Sequence, residues 1–467
     1  MSQWTASLDV LAAFYRPGKQ PAMQTRHQPL VSAKGEQRQT SNAHPSSSGK
    51  LWAVALAALF LLSACGGGGV STDKQLDLPL VPAAQLANTC VTPGSGEKQG
   101  TVEGEKAWVR SYIDERYLWY KDVPNLDASQ YANAQAYFDV LKTPAKNSVG
   151  ADLDRFHFSY TTEYWNQYSS GVAVDYGIEW GAINKSPPRN LVVLNVAPNS
   201  PAAKLGVSRG DKVVQIDGSD FIHGTELDKF NKGLFPSDSA AHTFDFQRGA
   251  STVSVNLQAS QYDATPVRQA KLVAGKTAYL YFDSFIAKST DQLIAAFDNF
   301  KTQGASDLVL DMRYNGGGLL YISSQLAYMI AGKTATDGKL FYKAAYNDKR
   351  TKDNYTYPFF PYALTSSYYL DYKRPLPTLD LKRVTILVDH GTASASEALI
   401  NGLRGVGVQV NLIGNTTHGK PYGFAAQGNC GRTYFAVNLR GRTMRGSLTT
   451  MQASRPLVRS QTIQLFH

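Results

Sequence analysis

The chain has 467 residues, 43% apolar and 18% charged, enough for two or three domains with hydrophobic cores. Its net charge of +10 sits at the two ends: +4 in residues 1–50 and +6 in residues 431–467, with the stretch between them neutral. A nucleic-acid-binding domain carries its basic patch on the fold itself, so this distribution argues against nucleic-acid partners.

In chain order, the first feature is the apolar run LWAVALAALFLLSA at 51–64, preceded by Lys50. It is too short for a membrane span, which needs about 20 residues, and suits the core of a secretion signal. Leu62-Ser63-Ala64-Cys65, followed by four glycines, resembles the lipobox of bacterial lipoproteins. That resemblance implies lipidation of Cys65 and an exported protein anchored to the cell envelope. Gly66 stands where an aspartate often retains lipoproteins in the inner membrane, which favours the periplasmic face of the outer membrane. Residues 1–65 are therefore set aside as N-terminal extension and signal. Residues 66–95, rich in Gly, Pro, Ser and Thr, read as a flexible tether. In an exported protein the remaining cysteines, Cys90 and Cys430, can pair as a disulfide; two free thiols are the alternative. No Cys/His cluster has zinc spacing, and no metal or cofactor is implied.

Residues 96–168 read as a helical unit. In EKAWVRSYIDERYLWYKDVP, 105–124, Trp108, Tyr112, Ile113, Tyr117 and Leu118 fall near helical spacing, and Pro124 ends the pattern. A second helix is expected over about 128–143. Residues 169–262 change to short β-branched strands and turns. Ser200-Pro201-Ala202-Ala203 opens a short helix, and Asp217-Gly218 signals a hairpin. The order and spacing of VVLNVAPNSPAAKLGVSRGDKVVQIDGSDF, 192–221, resemble a PDZ domain of the bacterial protease type. That likeness implies a groove taking a protein C-terminus as an added strand, with Tyr176, Gly177, Ile178 and Glu179 as its carboxylate-binding loop.

From 263 onward strands and helices alternate, which predicts a layered α/β domain. Strands are expected at 278–285, 308–311, 384–388 and 408–413, and helices at 289–304, 319–331 and 394–404. Residues 338–380 read as a long surface excursion. The tail from about 440 shows little periodicity and, from 431, no acid.

The stretch HGTASASEALINGLRG, 390–405, places Thr392, Ser394 and Ser396 just ahead of a helix. Taken alone, Ser394-Ala-Ser-Glu397 is a capping box. Two other segments give it chemistry. Asn315-Gly316-Gly317-Gly318 leaves a strand and enters a helix, where backbone N–H groups can meet a developing anion. Gly414-Asn-Thr-Thr-His-Gly-Lys420 supplies one lysine in a turn of small residues. A serine hydroxyl needs a base, and lysine serves as one when burial keeps it neutral. His390 and His418 compete for that role on position alone.

LDMRYNGGG, GTASASEAL and GNTTHGK, in this order behind a PDZ-like segment, resemble the carboxyl-terminal processing peptidases of the S41 serine peptidase family. RSYIDERYLWYKDVP resembles the N-terminal part of its exported bacterial members, and the likeness covers roughly 100–440. It implies an α/β multidomain protein: an N-terminal helical segment, a PDZ-like β-rich domain, and a layered, ClpP/crotonase-like peptidase core over 263–467. It also implies a serine peptidase with Ser394 as nucleophile, Lys420 as general base, and the N–H groups of Ala395 and Gly318 as oxyanion hole. The family often has a glutamine four residues beyond the lysine. Here that position is Phe424, so Gln427 replaces it or Ser394 and Lys420 act as a dyad. Glu397 is expected to cap or orient the helix. The partners expected are protein substrates with a free C-terminus and, through the anchor, the membrane. The alternative function is an inactive PDZ scaffold that binds peptides without turnover.

Overall fold

The computed structural model describes residues 80–443, except 149, 237–239 and 366–367. The signal-like run, Cys65 and the start of the tether lie outside the described residues, as does the tail beyond 443. Among the described residues no helix is long and apolar enough to cross a membrane.

The tether ends earlier than its composition suggests. Ala83–Leu86 is helical, and its first amide donates to Glu115 Oε1 at 2.7 Å. Thr89–Cys90 pairs with Lys98–Gln99, and Cys90 is disulfide-bonded to Cys430 across 340 residues. The helix Val102–Arg116 starts at the Thr101 cap and buries Trp108, Val109, Tyr112 and Ile113. The second expected helix is shorter, Ala134–Val140, because Asn133 caps it and a separate turn precedes it at Ala128–Gln130.

This N-terminal unit does not close on itself. Its core includes Phe138 and Phe156, but also Phe424, Tyr434 and Phe435 from near the other end of the described chain. Strand Phe158–Thr161 pairs antiparallel with Arg432–Phe435, and Phe158 stacks on Phe435 with ring centroids 4.5 Å apart. The disulfide joins the same two regions. Replacing Cys90 and Cys430 together by serine is expected to lower unfolding stability by about 2–5 kcal/mol, read by denaturant melts in non-reducing buffer.

Residues 178–258 form a sheet in the order 251–258, 241–248, 212–216, 190–196, 178–184, so Ile178–Asn184 is an edge strand. Two short helices, Pro201–Lys204 and Leu227–Leu234, pack on it over Trp180, Ile216, Phe230, Phe244 and Phe246. Asp217 and Gly218 both have positive φ and join two paired strands, as their turn chemistry predicts.

The layered α/β region is built on a five-stranded sheet. Val267–Ala274 runs antiparallel to Thr277–Phe282. Then Thr277–Phe282, Asp307–Asp311, Arg383–Val388 and Gln409–Gly414 lie side by side in parallel. Helices Ser289–Thr302, Leu320–Thr336 and Ala395–Gly405 connect or flank these strands. Leu280, Leu308, Leu310, Ile386, Val388 and Leu412 are fully buried, the near-continuous apolar pattern of strands covered on both faces.

Two expectations need correction. Residues 338–380 are not a bare surface excursion. Leu340–Tyr346 and Tyr355–Pro358 pair in a second sheet and bury Phe341, Tyr342, Tyr346 and Tyr357. The frequent Tyr and Pro mask an alternation of buried and exposed positions. The stretch just past 440 is also structured. Leu439–Arg442 lies in that sheet between Leu340–Tyr346 and Tyr422–Gly423.

Candidate active site

In an open parallel sheet, ligands bind outside the carboxyl ends of the strands. Four such ends meet here. Thr277–Phe282 runs into Ser284-Phe285, Asp307–Asp311 into the glycine run, Arg383–Val388 into 390–394, and Gln409–Gly414 into 415–420.

The glycine run is fixed from both sides. Asn315 Nδ2 donates to Phe282 O at 3.1 Å, and its Oδ1 accepts from Gly317 N at 2.9 Å and Ser396 Oγ at 3.1 Å. Phe285 N donates to Gly317 O, and Leu319 N donates to Phe285 O. These bonds leave the Gly318 N–H with no acceptor among the described residues. The glycines are required. Gly317 and Gly318 have φ of 101° and 139°, and a Cβ on Gly317 would lie 2.9 Å from both Ala395 N and Ser394 Cβ. The glycine run therefore packs directly on the start of the helix Ala395–Gly405.

The three hydroxyls of the 390–405 stretch part company. Thr392 Oγ1 donates to Met312 O at 2.8 Å, and Ser396 Oγ to Asn315 O at 3.0 Å. Both are structural ties. Ser394 has φ 56° and ψ −113°, an unusual conformation for a residue with a side chain. Ser394 is 7% exposed, and the first-turn Ala395 N–H beyond it has no acceptor among the described residues.

Glu397 does more than cap. Its Oε2 accepts from Ser394 N and from Lys420 N, each at 2.9 Å. Its Oε1 accepts from Thr417 Oγ1 at 2.7 Å and Gly419 N at 2.6 Å. One carboxylate thus binds the backbones of Ser394 and Lys420 through a single oxygen. His418 N adds a bond to Thr392 O at 2.9 Å. Burial pushes the Glu397 carboxyl above its ordinary range, against the pull of these donors.

Lys420 is 1% exposed. Its Nζ lies 3.8 Å from the centroid of Phe424 and 5.9 Å from that of Phe156. Gln427 sits in strand Gln427–Asn429, and its Nε2 donates to Gly428 O at 3.3 Å. His390 is exposed, and His418 packs edge-on to Phe156. Sequence reasoning missed Asn315, Thr417 and Phe156. An asparagine directly before a glycine run and a threonine three before the lysine were available signals; Phe156 had none.

The expected carboxylate loop, Tyr176, Gly177, Ile178 and Glu179, opens the edge strand Ile178–Asn184. Gly177 has φ 79° and packs on Ser200, and its N–H is bound by Asp175 Oδ1 at 2.5 Å. Gly177 and Glu179 line a cavity of about 70 Å³ with Arg268, Asp283, Ser284 and Tyr314. The last two neighbour the strand ends of the site. Among the described residues, Cys90, Glu105 and Cys430 come close enough to suggest a metal, but both thiols are spent in the disulfide.

A buried serine at a strained helix start thus stands with a glycine run and a buried lysine at the carboxyl ends of parallel strands. Residues 276–424 match the model of peptidase family S41, and residues 104–160 that of the peptidase S41 N-terminal domain. The chain is thus similar to this family over those two segments. It is similar to CtpA-like serine proteases of Staphylococcus aureus, 24% identical over 292 residues, 62% of this chain and 54% of the relative. The chloroplastic C-terminal processing peptidase of Tetradesmus obliquus is 28% identical over 231 residues, 46% of this chain and 45% of the relative. The chain thus spans about half the length of the curated relatives it matches. A crystal structure of an S41 protease from Bacteroides fragilis shares the fold, with TM-score 0.57 and 22% identity, covering 76% of this chain and 90% of that one.

Proposed function

We propose that this chain is an exported serine endopeptidase that cleaves peptide bonds with Ser394 as nucleophile and Lys420 as general base. The observation that carries the reading is the Glu397 carboxylate, whose one oxygen accepts from the backbone N–H of both residues. Neutral Lys420 takes the Ser394 proton as Oγ attacks the scissile carbonyl. The Ala395 and Gly318 N–H groups receive the oxyanion, a donor of this kind being worth roughly 3–4 kcal/mol. The lysine ammonium then protonates the leaving amine, and water hydrolyses the acyl-enzyme by the reverse relay.

In this reading the 169–262 unit is a PDZ domain. A substrate's chain end adds as a strand beside Ile178–Asn184, its carboxylate toward the Tyr176–Glu179 loop. Lipidated Cys65 holds the enzyme on the periplasmic face of the outer membrane. The test uses the chain from residue 66 onward and a protein with an unstructured C-terminal tail. Wild type is expected to cleave it and to take a fluorophosphonate probe on Ser394. Ser394→Ala and Lys420→Ala are expected to lose both cleavage and labelling. Equal cleavage by all three sinks the reading.

A further inference from the structure

In the proposed mechanism Lys420 must be held still and kept from gaining a proton, and the position four residues beyond it, where the family resemblance implies a glutamine, is Phe424. The structure offers something else in its place. The lysine side chain enters the aromatic core of the N-terminal unit, with Phe424 on one side and Phe156 on another. Phe156 is 1% exposed and belongs to a segment held on several sides. Asp154, itself buried, accepts from Tyr117 Oη at 2.6 Å, Phe156 N at 3.0 Å and His157 N at 3.1 Å. Tyr117 caps the helix Val102–Arg116, and its hydroxyl also accepts from Thr143 N at 3.1 Å. Arg155 reaches across to donate to His418 O at 3.2 Å, two residues before Lys420, with its guanidinium 4.6 Å from the Phe156 ring. Helix end, buried aspartate and aromatic ring thus form one support running from the N-terminal unit to the lysine.

We propose that Phe156 is a positioning residue for Lys420: the N-terminal unit seals the lysine side chain from water and presses it against Phe424. The inference rests on the Ser394–Lys420 reading and adds a role for a domain remote in sequence from both residues. Two effects of the rings oppose each other. A charged ammonium gains about 2 kcal/mol from a desolvated aromatic face. Leaving water costs it several kcal/mol. Desolvation wins, and the enclosure favours the neutral amine.

The charged and titratable groups around the lysine point the same way. Arg155 is cationic. Tyr422 packs on Phe156 at 5.8 Å, near Arg155 and Arg440. His418 lies edge-on to the same ring. Among the described residues, the Glu397 carboxylate accepts from four donors, and the Asp154 carboxylate accepts from Tyr117 Oη, Phe156 N and His157 N.

The experiment uses the chain from residue 66 with Phe156→Ala, Phe156→Val and Phe156→Leu. Two quantities are followed across pH: kcat/KM for peptide cleavage, and acetylation of Lys420 by trace acetic anhydride, read by mass spectrometry. Opening the seal in Phe156→Ala is expected to raise the acid limb of kcat/KM by about one pH unit. It should lower kcat about ten- to a hundredfold with KM within about twofold. The Lys420 acetylation midpoint should rise with it. Phe156→Leu should stay within about threefold of wild type, with Phe156→Val between. If the alanine variant does not fold, a graded midpoint from Phe to Leu to Val is the expected result. A midpoint and acid limb that ignore side-chain size overturn the inference, as does equal loss in Leu and Ala at unchanged midpoint. The acetylation arm needs no turnover. Cleavage that survives Lys420→Ala would therefore sink the base assignment, while the Lys420 midpoint still reports on Phe156.

Discussion

Glu397→Ala is expected to abolish peptide hydrolysis, by a factor on the order of 10³ or more, and to lower the melting temperature as well. The reason is the number of donors it serves. Removing the carboxylate leaves the N–H groups of Ser394, Gly419 and Lys420 and the Thr417 hydroxyl facing an empty space. Each buried donor left unpaired costs about 1–3 kcal/mol. The loops would separate to find water, and nucleophile and base would lose their common reference point. Glu397→Gln should be milder, because one orientation of the amide keeps its oxygen on Ser394 N and Lys420 N. The amide nitrogen then faces Thr417, whose hydroxyl can turn to accept, and only Gly419 N–H is left unpaired. Retained activity in Gln and lost activity in Ala, measured as kcat/KM beside thermal melts, is the expected pair. Equal activities in both variants and wild type would refute the clamp.

The pH dependence of this site has a definite sign. The folded-state pKa of Glu397 lies above the ordinary value of a glutamate, chiefly through burial. Folding therefore favours its protonated form. Its contribution to stability is fullest below the unfolded value and falls as pH rises through the folded one. The wild-type advantage over Glu397→Gln in melting temperature should accordingly shrink with rising pH across that window.

Gly317→Ala carries the second large effect. Its φ of 101° is strained for any side chain, and the added Cβ would sit 2.8 Å from Ala393 O and 2.9 Å from both Ala395 N and Ser394 Cβ. The glycine loop would have to back away from the nucleophile helix, taking the Gly318 N–H with it. Loss of an oxyanion donor costs about 10²–10³ in kcat. Here kcat should fall by about that much while probe labelling of Ser394, which depends less on the donor's placement, falls less. An unchanged kcat would remove the glycine loop from the mechanism.

The parts of this site written in local sequence were the easiest to read. Strand, glycine run and helix at 307–336, and the capped helix after 388, are contiguous patterns, and each leads its residues to the same sheet edge. Ser394 could be singled out from Thr392 and Ser396 only through a family resemblance; the structure gives a physical reason, since the other two hydroxyls are tied to Met312 and Asn315. Glu397 was legible as a helix-start carboxylate, but its grip on Thr417, Gly419 and Lys420 joins residues 20 to 23 positions away, and no local pattern encodes that. The same holds for Phe156 and for the N-terminal core, completed by residues 424 and 434–437. Leu439–Arg442 carries two arginines and a glycine and reads as coil, yet neighbours on both sides make it a strand. Tertiary pairing overrode weak propensity there.

With the proposed activity, the chain is exposed to cutting itself. The disulfide between Cys90 and Cys430 closes a ring that contains the N-terminal helices, the edge-strand sheet, Ser394 and Lys420. A single cut anywhere inside that ring opens the loop without dividing the molecule. Both new ends stay attached to one body whose aromatic core still spans the join. The bond therefore converts an event that would split an ordinary chain in two into one that leaves Ser394 and Lys420 in the same covalent piece.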